Sequence, residues 1–233
     1  MGAIERTIFE YSATMTGSEK IRKVALLTDG VHPLVLGGMQ KHSFYLLQSL
    51  LDNEVDVVLV HPGKDSIRTH LNEDVGNKLT EIIIPFPKGF KLPGSYLRDS
   101  FRYSSAIYSA LKDINNIDFI YAQGFTAWAS LDGKRKGINL APIGVNFHGL
   151  EMFQYAEGLK QRFIQRMFKG PVRFNLKNAD VVYSLGGKLT EILHEIVPNE
   201  RVSVIPIALD KDWLRNEKKD FSDASSRKFI FIG

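Results

Sequence analysis

The stretch Leu26–His42, LLTDGVHPLVLGGMQKH, decides how this chain is read. It begins in an apolar strand spanning Lys23–Thr28 and leaves it through a long loop. The loop passes the pair Gly37-Gly38 and enters a helix over Gln40–Leu51, where Phe44, Leu47 and Leu51 share one face at i, i+3 and i+7. Glycines let a backbone approach a ligand without a Cβ in the way, and the free N–H groups of a helix start favour an anion. A diphosphate suits that arrangement. On these residues alone, a turn that needs positive φ explains the glycines equally well.

Outward from this stretch, short apolar runs alternate with helix-period segments. Val55–Val60 reads as a strand, Glu81–Ile84 as another closed by Pro85, and Tyr96–Leu111 as a helix. Then follow strand Phe119–Ala122, helix Thr126–Arg135, strand Ile143–Phe147, and helix Leu159–Asn178 interrupted at Gly170-Pro171. Strand Val181–Ser184, helix Lys188–Ile196 and strand Val202–Ile205 complete the order. Near-continuous apolar strands alternating with helices predict a Rossmann-like, doubly wound α/β domain with a parallel sheet. The expected organisation is an N-terminal extension over residues 1–21 and the Rossmann-like domain over 22–209. A polar linker over 210–228 follows, and FIFIG at 229–233 reads as the start of a second, truncated domain.

The composition, 44% hydrophobic and 24% charged over 233 residues, is that of a globular protein. Cysteine is absent, which excludes disulfides, a thiol nucleophile and Cys-based metal sites. The first twenty residues hold no secretory signal, and no run approaches the roughly 20 apolar residues of a membrane span. A cytoplasmic protein is expected, or one peripheral on the inner face of a membrane. The net charge of +4 fits plain solubility or an anionic partner. Nucleic acid is not expected, since neither an aromatic RNA-binding signature nor a C2H2 pattern occurs.

Two phosphate motifs fail. A dinucleotide fingerprint needs three spaced glycines in a short turn and an acid ending the second strand, whereas here the loop is long and that strand ends at His61-Pro62. No Gly-Lys-Ser/Thr precedes a helix. A dehydrogenase is thereby disfavoured.

Several segments in order, LGGMQKHSFYLLQSLLDNEVDVVLV, DFIYAQG, PIGVNFHGLEMF, LKNADVVYSL and VSVIPIALD, resemble the amino-terminal domain of GT-B glycosyltransferases of the family 4 kind, over roughly Arg22–Asp210. Gln123 stands where that family often has histidine, Ile207-Ala208 where it has Asn-Gly, and Asn53-Glu54 where Gly-His is common. Its paired glutamates belong to the second domain. Glu73 and Glu81 match their spacing by chance and are read as surface residues. The resemblance implies transfer of a sugar from a nucleotide-sugar donor with retention, without a metal or other cofactor. It also implies that this half holds a glycan or lipid-linked acceptor and is inactive alone. A non-catalytic α/β ligand-binding domain that has kept the fold is the alternative.

On that resemblance Gly37 and Gly38 would offer N–H groups to the donor diphosphate as it leaves, and His148, directly after a strand, would bond the transferred sugar. Gln123, Gly124, Gly149, Glu151 and Arg173 are the expected acceptor contacts, although Glu151 also reads as an exposed first-turn carboxylate. His32, His42, His61, His70 and His194 read as surface or loop residues. Arg162, Arg166, Lys169, Arg173 and Lys177 form one helical stripe, either a solvated face or a contact with anionic lipid. Lys88, Phe90, Lys91 and Tyr96 suggest an acceptor lid.

Overall fold

The computed structural model describes residues 21–71, 75–87, 89 and 94–205. Its strands are β1 (Lys23–Leu27), β2 (Asp56–His61), β3 (Leu79–Ile83), β4 (Phe119–Gln123), β5 (Ile143–Asn146), β6 (Val181–Ser184) and β7 (Val202–Val204). They form one seven-stranded sheet of order β3-β2-β1-β4-β5-β6-β7, with every pairing parallel. This is the expected Rossmann-like sheet. The chain turns outward in opposite directions from β1 and β4, which makes their carboxyl ends the switch point where ligands of such sheets bind.

The inner strands β1, β2, β4, β5 and β6 are mostly apolar and buried because both faces of the sheet are covered. In β1, Val24 and Leu26 face one core with Val57, Leu59, Tyr121 and Tyr183, while Ala25 and Leu27 face the other with Val58 and Val60. Helix α1 (Gly38–Asp52) fills the first core with Leu46, Leu47, Leu50 and Leu51. Helices α2 (Ser95–Leu111), α3 (Trp128–Arg135), α4 (Leu159–Asn178) and α5 (Lys188–His194) bring Ile107, Leu131, Leu176 and Ile192 to the second.

Three expectations are corrected. The third strand begins at Leu79, not Glu81, since Leu79 is buried and pairs with Val57. Helix α4 runs through Pro171 without a break. An internal proline costs about 3 kcal/mol, but burying Val172 and Leu176 on either side of Arg173 returns about 1.5–3 kcal/mol each. Glu81 is no surface residue: its side chain is 8% exposed and accepts from His61 Nε2 at 2.8 Å, from the Ile67 amide at 2.6 Å and from the Ser66 hydroxyl. Glu73 lies outside the described residues.

Candidate active site

The switch point is built from the ends of β1, β4 and β5 and the start of α1. Gly37 has φ 154° and ψ 163°, a backbone that L side chains rarely adopt, and the Gln40 side chain folds over it. Gly38 is exposed, and a Cβ added there would meet nothing within 4 Å. No side chain caps α1 and its first turn holds no acid. The first intrahelical bond is Lys41 N–H to Gly37 O, so the N–H groups of Gly38, Met39 and Gln40 have no helical acceptor. That is an open anion-binding start beside the switch point.

Asp29 leaves β1 into the same loop. Its Oδ1 is buried without a partner, and burial raises its pKa against the pull of its own backbone and of Gln40.

Gln123, at the end of β4, is 0% exposed. Its Oε1 lies 2.9 Å from the Thr28 hydroxyl and 2.7 Å from that of Ser43, which ties β4 to β1 and α1. Its Nε2 is buried and unpartnered, so Gln123 braces the cleft floor from beneath. Gly124 follows with φ 55°, its N–H on Asn146 O at 2.9 Å, and open space where a Cβ would stand.

His148 follows β5 and is half-buried. Its Nε2 is sealed without a partner, which leaves Nδ1 as the nitrogen available to a ligand. His42, on the second turn of α1, meets it edge to face, with ring centroids 5.1 Å apart and planes at 77°. His42 Nε2 is 3.0 Å from the Tyr121 hydroxyl, which accepts from Asn146 Nδ2 at 2.8 Å. Burial lowers the pKa of His42 to about 4, and burial plus the nearby His42 lowers that of His148 to about 4, so both rings are neutral near pH 7. Reading His42 as a surface residue is therefore corrected, as is His61, which is 0% exposed.

Beyond His148 the chain forms a 3-10 turn over Glu151–Phe153. The exposed Glu151 carboxylate folds over Gly149, into the space a Cβ would need. Arg173 of α4 stacks 5.4 Å over Phe153. Gly149, Glu151 and Arg173 thus gather on one flank of His148, joined by the Gln165 amide donating to Glu151 O at 2.8 Å. On the α2 side Tyr96 is 49% exposed and stacks with Phe86 and Phe168, while Lys88, Phe90 and Lys91 lie outside the described residues.

A model of Glycosyltransferase Family 4 matches residues 36–213, from the Gly-Gly loop past β7. The chain belongs to this family. No curated protein matches it significantly. Sucrose-phosphate synthase from Thermosynechococcus elongatus superposes with a TM-score of 0.58 at 16% identity, over 79% of this chain and 48% of that one. The catalytic domain of starch synthase IV from Arabidopsis thaliana, bound to ADP and acarbose, gives 0.57 at 14%, over 83% and 53%. UGT2 of Phytolacca americana, complexed with UDP-2-fluoro-glucose and pterostilbene, gives 0.54 at 14%, over 82% and 55%. The family 4 chain therefore has the fold of a GT-B glycosyltransferase domain and spans about half the length of each of these structures. Among its described residues no helix is long and apolar enough to cross a membrane.

Proposed function

We propose that this family 4 chain is the acceptor-side half of a retaining glycosyltransferase that uses a nucleotide-sugar donor, with no metal or other cofactor. The observation that carries the reading is the uncapped start of α1 at Gly37-Gly38, open at the switch point on the helix that also carries His42 toward His148. Three amide N–H groups without a helical acceptor or a capping side chain are preorganised for the charge that grows on a departing diphosphate. A neutral His148 suits a sugar hydroxyl, and Gly124, Gly149, Glu151 and Arg173 line the acceptor's approach, with the buried Gln123 holding Gly124 from beneath. The acceptor is a cell-surface glycan or glycolipid. Support comes from the basic stripe of α4 and from Tyr155 and Leu159, 80% and 83% exposed beside it. The remaining half, beginning after a linker over 210–228, holds most of the nucleotide, so the chain alone is inactive.

The test is Gly38→Asp in the two-domain enzyme. The site has room, and a carboxylate at a helix start stabilises the helix by about 0.3–1 kcal/mol. It also occupies and repels the diphosphate position. The expected result is an unchanged or higher melting temperature with donor affinity reduced about tenfold or more, the scale of losing a charge-assisted hydrogen bond. Undiminished donor binding would remove the helix start from the site.

A further inference from the structure

Tyr121 is 0% exposed in the middle of the sheet, and its hydroxyl lies between two groups. It accepts a hydrogen bond from Asn146 Nδ2 at 2.8 Å and sits 3.0 Å from His42 Nε2. A phenol has one proton to donate, and buried hydroxyl protons are almost always paired. Here the acceptor within reach is His42 Nε2. That nitrogen must then be bare, and the proton of the neutral ring resides on Nδ1. The reverse arrangement turns the Asn146 amide over and leaves both its N–H donors in the interior unpaired, where now one of them is bonded and the other and Oδ1 are left, and an orphaned buried donor is rarer than an under-satisfied carbonyl.

The lock is held on several sides. The Tyr121 ring stacks on Tyr183 at 5.1 Å with planes at 29°, so the hydroxyl cannot swing away. Gly144, between them on β5, makes that stack possible: a Cβ there would lie 2.5 Å from the Tyr183 ring and 2.8 Å from Phe119. His42 is fixed by α1, whose neighbouring Ser43 bonds Gln123. So held, His42 meets the ring of His148 edge to face.

We propose that Tyr121 and Asn146 hold His42 as the Nδ1–H tautomer, and that His42 so held is a positioning residue that fixes the ring of His148 in the site. The positioning role rests on the reading of His148 as the sugar contact; the tautomer lock does not. An imidazole free to exchange its proton between nitrogens would change the edge it offers His148, and with it the direction of His148 Nδ1.

Long-range proton–nitrogen correlation spectra of protein carrying 15N-histidine separate the two neutral tautomers. His42 signals, assigned by their loss in His42→Gln, are expected to show a single Nδ1–H form. Tyr121→Phe keeps the ring and its stack and removes only the hydroxyl. In it His42 should become a mixture of tautomers and the His148 signals should shift. An Nε2–H ring in the unaltered protein, or spectra untouched by Tyr121→Phe, would overturn the lock. In the two-domain enzyme Tyr121→Phe should lower kcat about tenfold, the scale of one misdirected neutral hydrogen bond, with donor KM unchanged. A lost tautomer with kcat intact would overturn the positioning role. If His148→Ala also left kcat intact, the reading of His148 itself would fall, and the spectra would still judge the lock.

Discussion

Within the site's acid response, to which the raised pKa of Asp29 adds with the opposite sign, His42 and His148 form a pair. The unfolded chain takes up their protons near the ordinary 6.5, the native chain only near about 4. Between those values the unfolded state binds more protons, so native stability falls as pH drops through that window and is fully present above it. His148→Ala removes one of the two contributions. The urea midpoint of the variant should therefore decline less steeply between pH 6.5 and about 4 than that of the parent. In the two-domain enzyme proposed above the same substitution should lower kcat about 10²-fold, as expected for one lost donor to developing charge. A histidine that merely filled space would give the opposite pair, a lower melting temperature near pH 7 and near-normal turnover. Equal acid slopes in the two proteins would show that the ring is not held neutral.

Among the elements, the crossover from β2 to β3 carries no α-helix among its described residues and is pinned by Glu81 instead. Burial opposes ionisation of this carboxyl, but hydrogen bonds from the Ile67 amide, Ser66 and His61 together hold its pKa below the ordinary 4.5. Gly63 N–H donates to His61 Nδ1 at 3.0 Å, so Nε2 carries the proton that Glu81 accepts. Glu81→Gln keeps one oxygen for the Ile67 amide and His61 but turns an amide N–H toward the Ser66 hydroxyl, which must reverse to accept, and it strips the charge from all three hydrogen bonds. It should cost about 1–3 kcal/mol near pH 7, the range for a buried group deprived of its partner. The stability that Glu81 adds is present above the ordinary 4.5 and is lost as pH falls through its lower native value, so parent and variant should converge in acid. Urea titrations at several pH values check this, and a gap that stays constant into acid would refute it. The same crossover shows what could be read ahead of the structure. Runs such as VDVVLV announce buried strands because both faces of the sheet are apolar. The start of β3 was hidden because Leu79 follows the polar turn Gly76–Lys78. The partners of His42 could not be seen because Tyr121 is 79 positions away along the chain. The available signal was a tyrosine and an asparagine inside apolar strands, where a buried polar group demands a partner. The Gly37-Gly38 pair at a helix start was legible as a motif, with a positive-φ turn and an anion site as equal readings; that Gln40 covers Gly37 and leaves Gly38 open was not.

At the scale of the molecule, the family 4 domain presents one surface that its own packing leaves uncovered. The first turns of α4 and the loop before them expose Tyr155, Leu159, Phe163 and Ile164 at 80%, 83%, 59% and 43%. Lys160, Arg162 and Arg166 stand among them, although Arg162 also donates to Ala156 O at 3.0 Å. Apolar side chains interleaved with cations suit the boundary of an anionic bilayer, where each basic residue is worth about 1 kcal/mol and the apolar ones enter the headgroup layer. This contact is part of the proposed function, since it would bring a lipid-linked acceptor to the His148 flank. The protein should co-sediment with vesicles containing acidic lipid and not with neutral ones. Raising salt should release it, because screening shortens the reach of surface charge from about 10 Å at 0.1 M to about 3 Å at 1 M. Phe163→Glu should abolish binding without lowering the melting temperature, since that side chain packs on nothing that burial protects. Equal binding to both kinds of vesicle, or to neither, would return the stripe from Arg162 to Lys177 to a solvated helix face, and binding that survives Phe163→Glu would leave charge alone as its cause.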